Sequence, residues 1–338
     1  MKKKFNIMLC TLIGVLSACN EYDFDQEQYQ NEVGLLSNSS LIYDRQVANV
    51  GQEKDTIYLV ATVSGSQISP NTHHVALLES DSLLKAYNKS NFDIEKEKFA
   101  KLLPDECYDF PNKELDIQAG TSKVMFPIYL KNLERISPDS IYFLDYKIDP
   151  EKTPNYNPDK SHVLLRIYKE NYYATTKTST YYNYTSSTIV IPNPSGSPEV
   201  RRPTNANQVF PIGANSVRMM AGDEDLGDYK TARSRIVSKS IILEIGEQPE
   251  NPQARELTIR AHDRVNDVEV DPVDVVQLTP IDDYDNTFLL NAIRTPDGRA
   301  TYYKEFRLHY KYRLESTAPY REVKAKLRYE FNPRVDNL

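Results

Sequence analysis

The chain has 338 residues, with 41 basic and 48 acidic side chains, 24 tyrosines and no tryptophan. Its net charge of -7 excludes a general nucleic-acid binder, which needs a basic face for the phosphates. The length suits two domains that each bury a core.

Residues 1–18 are a processing signal rather than part of a fold. Lys2, Lys3 and Lys4 precede an apolar run over residues 5–16, and Leu16-Ser17-Ala18-Cys19 closes it; this is the positive, apolar and small-residue order of a secretory signal. The run falls short of the roughly 20 residues needed to span a bilayer, and no later stretch approaches that length. The segment resembles a bacterial lipoprotein signal, which implies cleavage before Cys19, acylation of its thiol by fatty acids such as palmitate, and membrane contact through that lipid only. Each buried methylene contributes about 0.8 kcal/mol, so two or more chains anchor stably. The alternative is a secreted protein cleaved near Ala18. The mature chain of 320 residues carries a net charge of -10. With Cys10 removed and Cys19 acylated, Cys107 is the remaining thiol; no intramolecular disulfide can form, and Cys107 reads as a small packed apolar residue rather than a nucleophile.

Residues 19–30 form an acidic tether, Asn20-Glu21-Tyr22-Asp23-Phe24-Asp25-Gln26-Glu27 at its start. The tether looks like the acidic address found behind the lipidated cysteine in lipoproteins of gut anaerobes with large glycan-uptake systems, which implies the outer face of the outer membrane.

Past the tether the pattern is all-β. Residues 56–63, 74–78, 124–130, 141–148 and 163–168 are rich in β-branched and aromatic residues and are separated by turn formers, which predicts an Ig-like β-sandwich over 31–170. One helix is expected at 93–103, with Asp93 capping it and Pro104 ending it. The second domain, 171–338, is expected to be β-rich and sandwich-like, with strands at 188–191, 209–212, 240–245, 256–261 and 287–290. Two long loops interrupt it, one with Pro192, Pro194, Gly196, Pro198 and Pro203, the other spanning 222–235, and long loops on a rigid scaffold often carry binding. At the C terminus Phe306, Leu308, Tyr310, Tyr312 and Leu314 alternate with charged residues, as do Val323, Ala325, Leu327, Tyr329 and Phe331. Strict period two across a short connection predicts an antiparallel hairpin with one face buried.

From about Asn31 to Tyr168 the chain resembles the β-sandwich domain that precedes the catalytic barrel of some endo-β-N-acetylglucosaminidases and begins many lipoproteins of Sus-type polysaccharide-utilisation loci. Lys85-Ala86-Tyr87-Asn88, Leu103-Pro104 with Tyr108, and Ile117-Gln118-Ala119-Gly120 carry the resemblance. It departs at Tyr142-Phe143-Leu144-Asp145, where the pattern has proline in place of Asp145. From about Tyr172 the chain is similar to the β-rich partner domain of such lipoproteins. Together these imply a glycan-locus surface protein whose partners are a carbohydrate and outer-membrane importer components.

Catalytic chemistry has no recognisable motif. The Asp-x-x-Asp-x-Asp-x-Glu strand end of those barrels is missing, as are Gly-x-Ser-x-Gly, His-Glu-x-x-His and a phosphate loop, so neither enzyme nor cofactor is expected. His73, His74, His162, His262 and His309 lack metal-ligand spacing. Asp223-Glu224-Asp225-Leu226-Gly227-Asp228 reads as a solvated acidic loop or, less completely, as a calcium loop.

Two groups of residues are candidates for binding. Tyr172, Tyr173, Tyr181, Tyr182 and Tyr184 cluster at the domain junction; they either seal the interface or present rings on which apolar sugar faces lie. Tyr284, Tyr302 and Tyr303 are secondary candidates. The outward face of the C-terminal hairpin collects Arg307, His309, Lys311, Arg313, Lys324, Lys326 and Arg328. Such a stripe either recognises an anionic partner or keeps an exposed strand from aggregating. The expected function is non-catalytic saccharide capture for a Sus-type importer, the alternative a structural or adhesive lipoprotein that meets a protein through the basic hairpin.

Overall fold

The computed structural model describes residues 31–52, 54–225, 236, 238–247, 254–262, 273–294 and 296–334. Cys19, the signal and the tether lie outside them. No helix among the described residues is long and apolar enough to cross a membrane.

Alternation of apolar residues builds the first domain as a sandwich. One sheet runs in the order Val33–Leu35, Asp55–Val63, Lys123–Leu130 and Tyr108–Asp109, and the other in the order Ile42–Asn49, His162–Glu170, Tyr142–Ile148, His73–Glu79 and Glu114–Ile117. Ile57, Leu59, Phe126 and Ile128 of the first sheet bury against Leu144, Tyr146, Val163 and Leu165 of the second. Ile42–Asn49 joins its neighbour in parallel.

The helix lies at Ser82–Phe92, before the expected 93–103. Asp93 ends it rather than starting it: its backbone is left-handed, φ 49°, and its N–H bonds the Asn88 carbonyl. The start is fixed from a distant strand, where the Asp145 carboxylate accepts the Leu84 N–H at 3.1 Å. Leu84 then packs with Ala100, Phe143 and Leu164 on the outside of the second sheet.

The second domain closes its sheet on itself as a barrel. Eight strands follow in ring order: Thr180–Ile191, Ala206–Gly213, Ser216–Met220, Ser240–Ile245, Ala254–Ala261, Thr287–Arg294, Ala300–Arg313 and Arg321–Phe331. Every neighbouring pair is antiparallel, and Arg321–Phe331 closes the ring on Thr180–Ile191. The short strands Glu199–Arg201 and Asp274–Gln277 also pair with Thr180–Ile191 and Ala300–Arg313, and the eight ring strands enclose just enough room for side chains. Phe306, Leu308, Tyr310, Val323, Leu243 and Val217 fill it. Gly222 is required at one end of this core: its φ is +53° and an added Cβ would meet the Tyr312 hydroxyl at 2.7 Å. The following Glu224 is ion-paired. Its carboxylate takes Lys239 at 2.9 Å and Arg321 at 2.5 Å; residues 226–228 of that loop lie outside the described residues.

An ion pair and a linker side chain join the domains. Arg218 of the barrel, 1% exposed, forms a two-pronged pair with Asp139 of the sandwich and lies over the Phe210 ring at 4.3 Å. Asn171 donates to the Gly213 and Ser216 carbonyls at 2.8 and 3.0 Å. Nearby, Lys169 is buried and donates to the Ile136 carbonyl at 2.9 Å. Burial pushes its pKa down to about 7, against the pull of Glu134 and Asp139.

Asp139→Ala leaves Arg218 buried without its partner and is expected to cost about 3–5 kcal/mol in urea denaturation. Because the folded pKa of Lys169 lies below its unfolded value, the unfolded chain holds more protons above pH 7, and stability from this residue rises with pH there by up to about 1.4 kcal/mol per unit. Lys169→Met is therefore expected to exceed the parent in stability at pH 6, with the difference shrinking by pH 9; a constant difference would contradict this.

Candidate functional site

The junction tyrosines turn inward and plug the barrel. The Asn171 Oδ1 accepts the Tyr173 and Ala174 N–H groups at 2.9 Å each, which steers Tyr173 into the core against Phe288, ring centroids 4.9 Å apart. Tyr182 is fully buried against Phe306 and donates to the Tyr173 carbonyl at 2.9 Å. Tyr184 donates to the Gly222 carbonyl, and the half-buried Tyr172 lies under the Lys304 ammonium at 4.1 Å. Tyr181 points the other way along the strand and is 49% exposed. The cluster thus supplies one open ring rather than a platform, and the seal it makes is the barrel's own core. Of the secondary candidates, Tyr284 donates to the Ser186 carbonyl, Tyr303 is half-buried and Tyr302 is exposed.

The basic hairpin is likewise not an open cationic face. Glu305, fully buried, binds Arg307 at 2.7 Å and Arg328 at 2.5 Å. Lys326 pairs with Asp283 at 2.7 Å and Arg313 with Asp274 at 2.6 Å, while Lys324 and His309 share Glu322 at 3.3 and 3.0 Å. Lys311 lies over the Tyr320 ring at 4.6 Å. A segment at residues 278–286 straps the face: Leu278 N–H reaches the His309 carbonyl at 3.0 Å, and the Asn286 side chain accepts the His309 N–H at 2.7 Å. On this face cations and carboxylates form a charge lattice. Burial opposes the charge on Glu305, yet hydrogen bonds from Arg307, Arg328 and Asn291 bring its pKa below the usual carboxylate value.

Cys107 is fully buried, and burial foremost pushes its thiol up to about 11. Such a thiol is not a nucleophile near neutrality.

A further group of exposed aromatic residues lies on the sandwich, where no candidate was expected. In the sheet of Asp55–Val63 and Lys123–Leu130, Tyr58 lies opposite Pro127, Val60 opposite Met125, and Tyr129 opposite Thr56. The alternate residues fill the core, so these share the outer face. Tyr58 is 37%, Tyr129 40% and Met125 43% exposed. The two tyrosines are diagonal neighbours, about 7–8 Å apart at the backbone. Polar groups flank them: Thr62 and Lys123 at one end, and the Lys131–Asp109 ion pair, 2.7 Å, beside Tyr129 at the other. The alternation Tyr58-Leu59-Val60 and Met125-Phe126-Pro127-Ile128-Tyr129 is apolar on both faces, and that doubled signal could have marked the surface from sequence.

Fold and surfaces together define a two-domain all-β protein, a sandwich followed by a closed barrel. Two family models match it in succession, one described as an N-terminal domain over residues 24–155 and the other as a C-terminal domain over residues 161–328. Solved structures share the whole arrangement. A multidomain protein including DUF1735 from Bacteroides ovatus superposes with a TM-score of 0.60 at 18% identity, over 90% of this chain and 95% of that one. A protein of unknown function from Bacteroides ovatus gives 0.61 at 17% identity, over 93% and 96%. An auxiliary nutrient binding protein from Bacteroides thetaiotaomicron gives 0.57 at 17% identity, over 87% and 94%. No curated protein matches the chain.

Glu305→Ala leaves Arg307 and Arg328 facing each other over a buried void, with an expected loss of about 3–5 kcal/mol at pH 7. Since the folded pKa is depressed, the stability that the Glu305 charge contributes is present above the usual carboxylate range and is lost as pH falls through it. The stability difference between parent and Glu305→Gln should narrow on acidification to pH 3; an unchanged difference would show that the charge contributes nothing.

Proposed function

We propose that the chain is a non-catalytic lipoprotein, held on the outer membrane through acylated Cys19 and facing the cell exterior, that binds a poly- or oligosaccharide for a Sus-type uptake system. The observation that carries the reading is the pair of exposed tyrosines, Tyr58 and Tyr129, on the outer side of the sandwich sheet. Sugars present apolar C–H faces that lie on aromatic rings and hydroxyls that need polar neighbours. Tyr58 and Tyr129 supply the rings, and Thr62, Lys123, Asp109 and Lys131 supply the polar rim. An open sheet has no end walls, so it suits a segment within a long chain. The lipoprotein-type N terminus and a fold shared with an auxiliary nutrient binding protein support the same reading. A protein partner on the C-terminal hairpin is the weaker alternative, because its cations are already matched by carboxylates.

Affinity electrophoresis in native gels containing neutral, uronic-acid or sulfated polysaccharides tests this. The soluble chain from residue 20 is expected to be retarded by one class. Tyr58→Ala with Tyr129→Ala should weaken that binding roughly 5- to 100-fold, from about 0.5–1.5 kcal/mol per ring, while stability moves by about 0.5 kcal/mol or less per exposed site. Undiminished retardation of the double variant would remove the sheet face from the account.

A further inference from the structure

Strand register orders the outer face of the first sheet into rows that run across the strands. Thr62 stands between Lys123 and Gly34, Val60 stands opposite Met125, Tyr58 opposite Pro127, and Thr56 opposite Tyr129. Leu36 joins the row of Val60, because its N–H bonds the Val60 carbonyl at 2.9 Å. The face is therefore banded. A polar row at Thr62 is followed by an apolar one, in which Leu36 and Met125 are each 43% exposed, and then by the two tyrosines. Alternate residues share a face at about 3.3 Å per residue, so Thr62 and Tyr58 are about 13 Å apart.

The polar row carries a cation on each side. Lys123 supplies one, on the strand next to Thr62. The other comes from far along the chain, where residues 155–160 run beside the strand Val33–Leu35: the Val33 N–H reaches the Asn155 carbonyl at 3.0 Å and the Asn157 N–H reaches the Val33 carbonyl at 2.9 Å. Lys160 then lies across Gly34, where an added Cβ would meet the Lys160 Cβ at 3.0 Å. Its ammonium donates to the Asn38 carbonyl at 2.9 Å and to the Ser37 carbonyl at 3.4 Å. Those two bonds hold the group in place and leave one of its three N–H donors for a ligand. Gly34, Leu36, Ser37, Thr62 and Lys160 line a recess of about 150 Å³, the space of about five waters. Lys123 and Lys160 have no carboxylate partner among the described residues, whereas Lys131 at the tyrosine end is matched by Asp109 at 2.7 Å. Glu32 also lines the recess, so this end of the face carries one net positive charge on a chain that is acidic overall.

Rings at one end, an apolar strip and a flanked cationic row at the other match a polymer of sugar rings that carries carboxylates. We infer that the sheet face selects polysaccharides of the uronic-acid class, with one sugar on Tyr58 and Tyr129 and the carboxylate of a residue further along the polymer between Lys123 and Lys160. This rests on the sheet-face reading and adds the substrate class to it.

Affinity electrophoresis of the soluble chain from residue 20 in gels containing polygalacturonate, alginate or hyaluronan, each beside its carboxyl-reduced neutral form, tests the inference. At least one uronate is expected to bind fivefold or more tightly than its reduced form, and less so as salt is added. Lys123→Gln and Lys160→Gln should each weaken that binding roughly 2- to 5-fold, Lys160→Arg should retain most of it, and Glu32→Gln should strengthen it by a similar factor, which a merely structural role for these residues would not do. Dextran sulfate beside dextran distinguishes a sulfate ester, which offers similar anionic oxygens. Retardation by none of the uronates, equal retardation by a uronate and its reduced form, stronger retardation by dextran sulfate than by every uronate, or uronate binding indifferent to the lysine variants would overturn the inference. Retardation by neutral polymers alone that is lost in the Tyr58→Ala, Tyr129→Ala double variant would overturn it while the sheet-face reading stands. Uronate retardation that needs the lysines but survives loss of both tyrosines would instead support the cationic row and remove the tyrosines from the account.

Discussion

The strand Arg321–Phe331 is hydrogen-bonded along both edges, to Ala300–Arg313 on one side and Thr180–Ile191 on the other, and this seam governs what the second half of the molecule can do. Once the sheet closes, everything pointing inward must pack, because eight strands leave no room for a solvent-filled lumen. Tyr182, Tyr310 and Tyr312 become core residues for that reason, their hydroxyls bonded to a backbone carbonyl, a backbone amide and a carboxylate respectively. Cations on the outer side of the seam face each other across the ladder, which is unfavourable unless anions intervene. Glu305, Glu322, Asp274 and Asp283 supply those anions.

The sandwich is under no such constraint. Its sheets share one core, the second is partly covered outside by Leu84 and Ala100, and the first leaves part of its outer face exposed. On the first sheet the outer face carries tyrosines and a methionine where a solvated sheet would ordinarily carry polar residues. On the second, the changing partners of Tyr142–Ile148 leave a gap along the strand edge. The proposed sheet-face site therefore lies in the first domain, to which the barrel is joined by Arg218–Asp139 and Asn171.

Much of the fold was legible because it rests on local alternation. The strands around residues 56–63, 124–130 and 240–245, and the C-terminal hairpin, follow from period two alone. What escaped depends on contacts between distant segments. Barrel closure joins residues near 185 to residues near 326, and the helix start depends on Asp145 reaching Leu84 across 61 positions, so a local capping signal at Asp93 misled. The surroundings of the candidate residues depend on distant contacts in the same way. Period two places Arg307, Lys326 and Arg328 outward, but no local pattern announces that residues 278–286 and a buried Glu305 will cover and neutralise them. Tyrosine density at 172–184 likewise reflects the demand of the barrel end for large side chains.

The claim that saccharide contact falls on the sandwich sheet is most directly tested by hydroxyl-radical footprinting of the soluble mature chain, with and without a polysaccharide that retards it in native gels. Tyrosine and methionine side chains report their own exposure in this measurement. Loss of reactivity at Tyr58, Met125 and Tyr129, with Tyr181 and Tyr302 unchanged, is the predicted result; protection of Tyr181 or Tyr302 with the sandwich residues unchanged would contradict the account.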